Sequence, residues 1–291
     1  MQAFDYAAPH SVDEAVSLLE QRGDQARMLG GGTDIIVQVR EGRRRVALLV
    51  DVKRIPELNH LTYDSQQGLI VGAAVPCYKI YGDAAIAAAY PGLIDAVSLV
   101  GGTAIQGRAT VGGNLCNASP AADTIPPLIV LEATCVIAGP QGRREVPVED
   151  FCTAPGRTVL QNGELLVAMR LPPPRPRSGA FYLRFIPRNE MDIAVVGAGA
   201  SVRLTEDRTA FVAARVALGA VAPTPLLVNE AAAALVGKPI SDEAIQAAAE
   251  AAQAAARPID DMRGTIAFRR HLSGVLTRRA LQGAIQRAKE R

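Results

Sequence analysis

Two runs of this sequence combine residue types and spacings that could do chemistry. The first is Leu29-Gly30-Gly31-Gly32-Thr33-Asp34. Three glycines after a strand permit positive φ and let main-chain N–H groups converge into a nest for an anion. A helix beginning at Ile35 would add its positive N-terminal end, which favours a pyrophosphate. The same residues also suit a plain tight turn with Thr33 or Asp34 as a helix cap. The run fits neither GxGxxG nor the GxxxxGK pattern, so a Rossmann fingerprint and a P-loop are both disfavoured.

The second run is longer: Thr110-Val111-Gly112-Gly113-Asn114-Leu115-Cys116-Asn117-Ala118-Ser119-Pro120, continuing through Ala121-Ala122-Asp123-Thr124-Ile125-Pro126-Pro127. Its adjacent glycines would let a flat ligand approach the backbone. Asn114 and Asp123 supply an amide and a carboxylate suited to hydroxyls such as those of a ribityl chain. An elaborate structural loop is the alternative, but long ordered loops in compact domains are usually functional.

The elements that must position these runs follow from pattern. Ser11 to Ala15 opens a helix, with Ser11 at the N-cap and Glu14 completing a capping box; it runs to about Gln21 and stops at Gly23. Ala26 to Leu29 is a short strand, Ile35 to Arg40 a short helix, and Val46 to Val50 a buried strand. This makes a small β-α-β unit with the glycine bend at its middle. Leu69 to Ala73 is a strand; Lys79 to Ala89 and Gly92 to Leu99 read as helices split by Tyr90-Pro91. Leu128 to Leu131 and Thr134 to Ala138 are apolar, strand-like runs, and Val146 to Phe151 leads into a turn. Glu164 to Arg170 is a strand ended by Pro172-Pro173-Pro174-Arg175-Pro176. Such a stiff segment cannot pair in a sheet and marks a domain boundary. Phe181 to Phe185, Asp192 to Val202 and Phe211 to Leu218 follow as antiparallel strands. Helices then cover Asn229 to Leu235, Ser241 to Ala256 and roughly Met262 to Ala288.

Composition excludes several classes. A net charge of +2 is too small to point to nucleic acid as a partner. No stretch reaches about 18 apolar residues, so no membrane span is expected. Met1-Gln2-Ala3-Phe4-Asp5 lacks the basic-then-apolar pattern of a leader. Cys77, Cys116, Cys135 and Cys152 form no CxxC pair and read as reduced thiols, which points to the cytoplasm. Arg43-Arg44-Arg45 fits a solvated turn, with a subunit or phosphate contact as the alternative. His10, His60 and His271 have no acidic or Ser partner at useful spacing and read as surface or capping residues. Glu149 and Asp150 read as a solvated turn. Cys116 reads as small apolar packing, and Tyr182 and Phe185 as core of the C-terminal part or a contact at the edge of a ligand.

Taken with Tyr182-Leu183-Arg184-Phe185-Ile186-Pro187-Arg188 and Asp192-Ile193-Ala194, the two runs resemble, in order and over essentially the whole chain, the FAD subunit of the xanthine dehydrogenase and aerobic carbon monoxide dehydrogenase family. The resemblance implies an α+β chain. A two-lobed FAD-binding domain of the vanillyl-alcohol-oxidase (PCMH) type would cover 1–175, with a small lobe at 1–55 and a large one at 56–175. A C-terminal domain at 176–291 would carry a three-stranded antiparallel sheet and helices. It implies FAD, with Leu29, Gly30, Gly31, Gly32, Thr33 and Asp34 on the pyrophosphate. Thr110, Val111, Gly112, Gly113 and Asn114 would lie along flavin and pyrophosphate. Asp123 would sit on the sugar or ribityl part, Val100 near the adenine and Leu166 on the isoalloxazine. Arg184 stands where the animal xanthine enzymes have Lys; it keeps the positive charge but not the same donor geometry.

The resemblance also implies a role and partners. A large molybdenum-cofactor subunit would hydroxylate the substrate, and a small subunit with two 2Fe–2S clusters would carry single electrons. This chain would pass them from FAD to NAD+, oxygen or another acceptor, with the whole a dimer of heterotrimers. No residue is assigned as catalytic and none as a metal ligand. A stand-alone FAD-dependent oxidoreductase of the same fold is the alternative; it needs a proton donor over the flavin, and no convincing candidate stands out.

Overall fold

The structure, a computed structural model, describes residues 3–291; Met1 and Gln2, part of the stretch read for a leader, lie outside the described residues. A parallel sheet opens the chain, in the order Asp5–Ala7, Leu48–Asp51, Ala26–Leu29. Its central strand is buried along its whole length, as an unbroken Leu-Leu-Val run requires when both faces are covered. The strand starts later than the expected Val46 because Val46 packs with Val39 and Leu49 beneath the helix Ile35–Arg40. On the other face lies the helix Val12–Arg22, burying Ala15, Val16 and Leu19. Ser11 Oγ accepts from Glu14 N at 3.1 Å. The expected capping box is modified, since the Glu14 carboxylate accepts from His10 N at 2.9 Å rather than from Ser11.

A five-stranded antiparallel sheet follows, in the order Leu61–Asp64, Gly68–Gly72, Leu165–Leu171, Thr134–Gly139, Gly142–Pro147. One face, with Val136, Ala138, Leu165 and Val167, packs against the helix Val12–Arg22. The other, with Leu69, Val71, Cys135, Ile137 and Leu166, packs against the helical segment 77–130. The register of the middle strand shifts between Leu166 and Ala168. That bulge sends Val167 and Ala168 to the same side and leaves Leu166 on the opposite one.

Two expectations in the segment 77–130 are corrected. Lys79 to Ala89 is not one helix but two, Cys77–Tyr81 and Ala84–Ala89. Asp83 Oδ1 accepts from Ala85 N and Ile86 N at 2.9 and 3.0 Å and starts a second helix. The apolar run at Leu128 belongs to a helix, Ile125–Val130, and not to a strand. Pro126 and Pro127 sit in its first turn, where no N–H bond is lost. Every residue of the helix is buried, so no amphipathic period marks it in the sequence.

Beyond the prolines, the antiparallel strands Ser178–Phe185, Val196–Leu204 and Phe211–Gly219 gain a fourth, two-residue edge strand, Leu226–Leu227. The second begins at Val196 rather than Asp192, because 186–195 is loop. One face packs on the helices Asn229–Leu235, Asp242–Ala255 and Ile266–Glu290. The other meets the helix Ile125–Val130 across Gly199, where an added Cβ would lie 3.2 Å from Pro126. Phe185 is not core as expected; it is partly exposed and packs edge-on against Phe268.

Polar ties fasten this face. Arg287 donates to both Asp95 oxygens at 2.6 and 2.8 Å and to Ala180 O at 2.7 Å, and stacks 4.5 Å over Phe181. Tyr182 N donates to the same Asp95. Arg215 donates to Ile129 O and, at 2.7 Å, to Glu149. Glu149 is therefore a half-buried ion-pair partner rather than part of a solvated turn, whereas Asp150 is exposed. Arg287→Met should lower the unfolding free energy by about 1–3 kcal/mol, the range for hydrogen bonds to charged groups. Urea denaturation with unchanged far-UV circular dichroism checks this; unaltered stability would show that the tie contributes nothing.

Candidate functional site

A cleft of about 650 Å³ is walled by both the parallel sheet's glycine bend and the helical segment of the larger sheet. That volume lies in the usual range for ligand sites. Gly30, Gly31, Gly32, Thr33, Asp34, Val100, Thr110, Gly112, Gly113, Asn114 and Leu166 all line it. The two motif runs, far apart in sequence, meet directly. An added Cβ on Gly31 would overlap the Arg108 carbonyl, and Arg108 Nε donates to Gly31 O at 3.3 Å. Gly32 takes φ +84°, a left-handed conformation that side-chain-bearing residues rarely adopt.

The bend sits at the C-terminal end of a parallel strand, the place where open α/β sheets leave a crevice for ligands. Ile36 N donates to Gly32 O at 3.2 Å. Among the described residues the N–H groups of Gly31, Gly32 and Thr33 have no acceptor. Asp34 stands at the N-cap position without a side-chain cap bond. Burial raises its pKa, with Arg43 opposing. The basic run divides: Arg43 pairs with Glu41 in solvent, Arg45 is exposed, and Arg44 reaches the cleft wall.

Thr110 begins a helix, Val111–Cys116, rather than a plain turn; its Oγ1 accepts from Gly113 N at 2.8 Å. Gly112 is glycine chiefly because the chain itself comes close. An added Cβ would lie 2.6 Å from Ala73 Cα. Gly113 has the Thr110 hydroxyl in that position, at 2.8 Å. Asn114 Oδ1 accepts from Thr124 Oγ1 at 2.6 Å, which leaves its amide nitrogen as the donor it can offer the cleft. Leu29 and Val111 are buried and do not line the cleft.

Asp123 and Arg184 also stand apart from the cleft wall. They form an ion pair with each other, and Tyr182 OH donates to Asp123 Oδ1 at 2.7 Å. Both side chains of the pair are at most one-tenth exposed. Burial raises the Asp123 pKa, opposed by Arg184 and Tyr182; burial and Asp123 push the Tyr182 hydroxyl well up. Tyr182 is thus buried, as expected, but on the face toward the 119–124 loop. Cys116 lines the cleft, and burial pushes its thiol up to about 12, so it remains a protonated packing group at neutral pH.

Other wall residues were not foreseen. Gln38 and Asn117 hydrogen-bond across the cleft at 3.2 Å. The hairpin Cys152–Ala154 and Arg157–Thr158 contributes Thr153, Gly156 and Arg157. Pro155-Gly156 is the turn signal in the sequence for that hairpin, and Gly156 takes φ +70°. Among the described residues no three His, Cys, Asp or Glu are placed to hold a metal. No helix among them is long and apolar enough to cross a membrane.

Residues 2–174 match the family described as the FAD binding domain in molybdopterin dehydrogenase, and residues 181–284 match the CO dehydrogenase flavoprotein C-terminal domain. The chain belongs to this flavoprotein family. Its cofactor is FAD, and it is an oxidoreductase subunit of the molybdenum-containing dehydrogenase type. It is similar to the xanthine dehydrogenase FAD-binding subunit of Escherichia coli O157:H7, with 32% identity over 98% of each chain. It is also 32% identical to the carbon monoxide dehydrogenase medium chain of Hydrogenophaga pseudoflava, over 97% of this chain and 96% of that one. Among solved structures, it superposes with a TM-score of 0.94 on a chain of carbon monoxide dehydrogenase from Hydrogenophaga pseudoflava which lacks the Mo-pyranopterin moiety of the molybdenum cofactor. There the identity is 33% over 98% of each chain.

The residues present fit FAD. Free main-chain donors suit a pyrophosphate, and the apolar side chains of Leu166 and Val100 line the same cleft as the glycine bend. Gly31→Ala should part the two bends and abolish flavin retention, because the obstacle is a backbone carbonyl that cannot swing aside. Gly113→Val should do the same by displacing the Thr110 cap. Gly107→Ala, where an added Cβ meets nothing within 4 Å, should stay yellow. The visible absorbance of the purified variants decides; a fully yellow Gly31 variant would refute the convergence of the bends on the ligand.

Proposed function

We propose that this subunit holds FAD across the two bends and relays electrons within a larger molybdenum hydroxylase. In this reading residues 30–34 bind the pyrophosphate, with Leu29 fixing the end of the strand that delivers them. Thr110, Gly112, Gly113 and Asn114 lie along the pyrophosphate and flavin, with Val111 anchoring that helix in the core. Val100 sits near the adenine and Leu166 against the isoalloxazine. Asp123 and Arg184 act from behind the wall, holding the 119–124 loop against the C-terminal sheet. The domain division that goes with it is 1–175 for FAD binding, with lobes 1–55 and 56–175, and 176–291 for the C-terminal flavoprotein domain.

The observation that carries the reading is the seating of Gly31 on Arg108–Ala109, which sets free N–H donors at the mouth of the second motif. When bound, FAD supplies the redox chemistry, taking electrons from 2Fe–2S clusters of a partner and passing them to NAD+, oxygen or another acceptor. The chain's own contribution is orientation and dryness. Main-chain N–H groups neutralise the pyrophosphate, and Leu166 and Val100 form apolar wall that excludes water.

The partners in this reading are a large molybdenum-cofactor subunit and a small subunit with two 2Fe–2S clusters, as a dimer of heterotrimers in the cytoplasm. A relative named as a carbon monoxide dehydrogenase medium chain, and a solved carbon monoxide dehydrogenase which lacks the Mo-pyranopterin moiety of the molybdenum cofactor, support that company. The native assembly should co-purify with molybdenum and iron, while the isolated chain should carry FAD and neither metal. Elemental analysis and the absorption spectrum test both statements. A native preparation without molybdenum and iron, or a chain that oxidises an organic substrate alone, would overturn the relay.

A further inference from the structure

We propose that Lys53 and Arg108 are positioning residues for the FAD pyrophosphate: they hold the carbonyls of Gly30 and Gly31 from behind and so aim the bend's N–H groups at the cleft. The inference rests on the FAD placement above and adds how the bare loop keeps its donors pointed. Lys53 Nζ lies 3.4 Å from Gly30 O, and Arg108 Nε 3.3 Å from Gly31 O. The helix itself takes the next carbonyl, Gly32 O, through Ile36 N. In a planar trans peptide the N–H points opposite to the C=O of the same unit. Three successive carbonyls turned away from the cleft therefore turn the N–H groups of Gly31, Gly32 and Thr33 toward it. All three are without an acceptor among the described residues.

Glycine alone would not hold that arrangement, because its freedom to rotate is what makes the bend possible. The stiffness comes from the end of the central parallel strand. Asp51, only 6% exposed, accepts from Lys53 Nζ at 2.6 Å and from Lys53 N at 3.0 Å. Its second oxygen accepts from Tyr6 OH at 2.5 Å. Tyr6 comes from the neighbouring parallel strand, so two strands of the sheet fix the lysine that fixes the loop. Burial would raise the Asp51 pKa, but the bonds from Lys53 and Tyr6 outweigh it and hold it below the usual carboxylate range. Lys53 thus faces a carboxylate that stays charged at neutral pH.

Fluorescence titration of the flavin-stripped full chain with FAD tests this. Lys53→Met should raise the dissociation constant about tenfold, and Arg108→Met about threefold, since the second side chain is exposed and its bond weaker. Lys53→Arg, which keeps the charge in another shape, should recover to within about threefold of wild type. Because Lys53→Met leaves Asp51 buried without its cation, the neutral pair Asp51→Asn/Lys53→Met is the decisive variant. It should bind FAD no better than Lys53→Met, as expected of two residues acting as one unit, while thermal unfolding of the flavin-free form stays near wild type. Wild-type affinity in that pair and in Arg108→Met, with binding still lost in Gly31→Ala, overturns the inference and leaves the FAD placement standing. A wild-type chain that does not take up FAD overturns the placement, and this inference with it.

Discussion

Main-chain N–H groups without acceptors are costly to keep out of water, and this fold gathers several of them at one half-buried bend. A folded chain satisfies nearly all its buried main-chain donors. Gly31, Gly32 and Thr33, each half-buried, hold their N–H groups without an acceptor among the described residues, beside a second glycine motif whose helix begins at Thr110. The rest of the architecture can be understood as what is needed to keep those donors in place until an anion satisfies them. The parallel sheet ends its edge strand at the bend. Removal of one side chain, at Gly31, lets the larger lobe's Arg108–Ala109 segment come against it. Removal of another, at Gly112, seats the second helix on Ala73, next to the five-stranded sheet.

The C-terminal domain closes this arrangement from outside. Its sheet presents glycines to the helix Ile125–Val130, so that helix and sheet meet at backbone distance. A buried cation–carboxylate pair, Arg184 with Asp123, crosses the junction together with Tyr182. Taking such a pair out of water costs more than its mutual attraction returns unless the remaining hydrogen-bonding capacity is also met. Tyr182 meets part of it, and the return is definition of position: the 119–124 loop, and with it Asn114 through Thr124, is held in one place. The positive charge of Arg184 is thus already committed to a carboxylate.

Much of this was legible in the sequence, for identifiable reasons. The strand Ala26–Leu29 and the helix Ile35–Arg40 fall where the pattern puts them, because glycine runs and a clear apolar stretch bound them. The proline cluster at 172–176 separates the two domains' sheets. Glycine roles were less legible. The adjacent Gly112 and Gly113 suggested a ligand lying on the main chain, whereas Gly112 is required first by Ala73. The helix Ile125–Val130 was hidden because it is buried all round and starts with two prolines, which look like a breaker rather than a first turn. The wall residues of the hairpin 152–158 carry no motif, and Lys53 and Arg108 act through carbonyls. Such contacts exist only after distant segments have met.

The most direct measurement is a crystal structure of the flavin-loaded chain. The account predicts the pyrophosphate oxygens within hydrogen-bond distance of the N–H groups at 31–33, with the start of the helix at Thr110 closing over the same phosphates. Density placing the pyrophosphate against only one bend, or elsewhere in the cleft with the Gly31–Thr33 donors facing water, would contradict it.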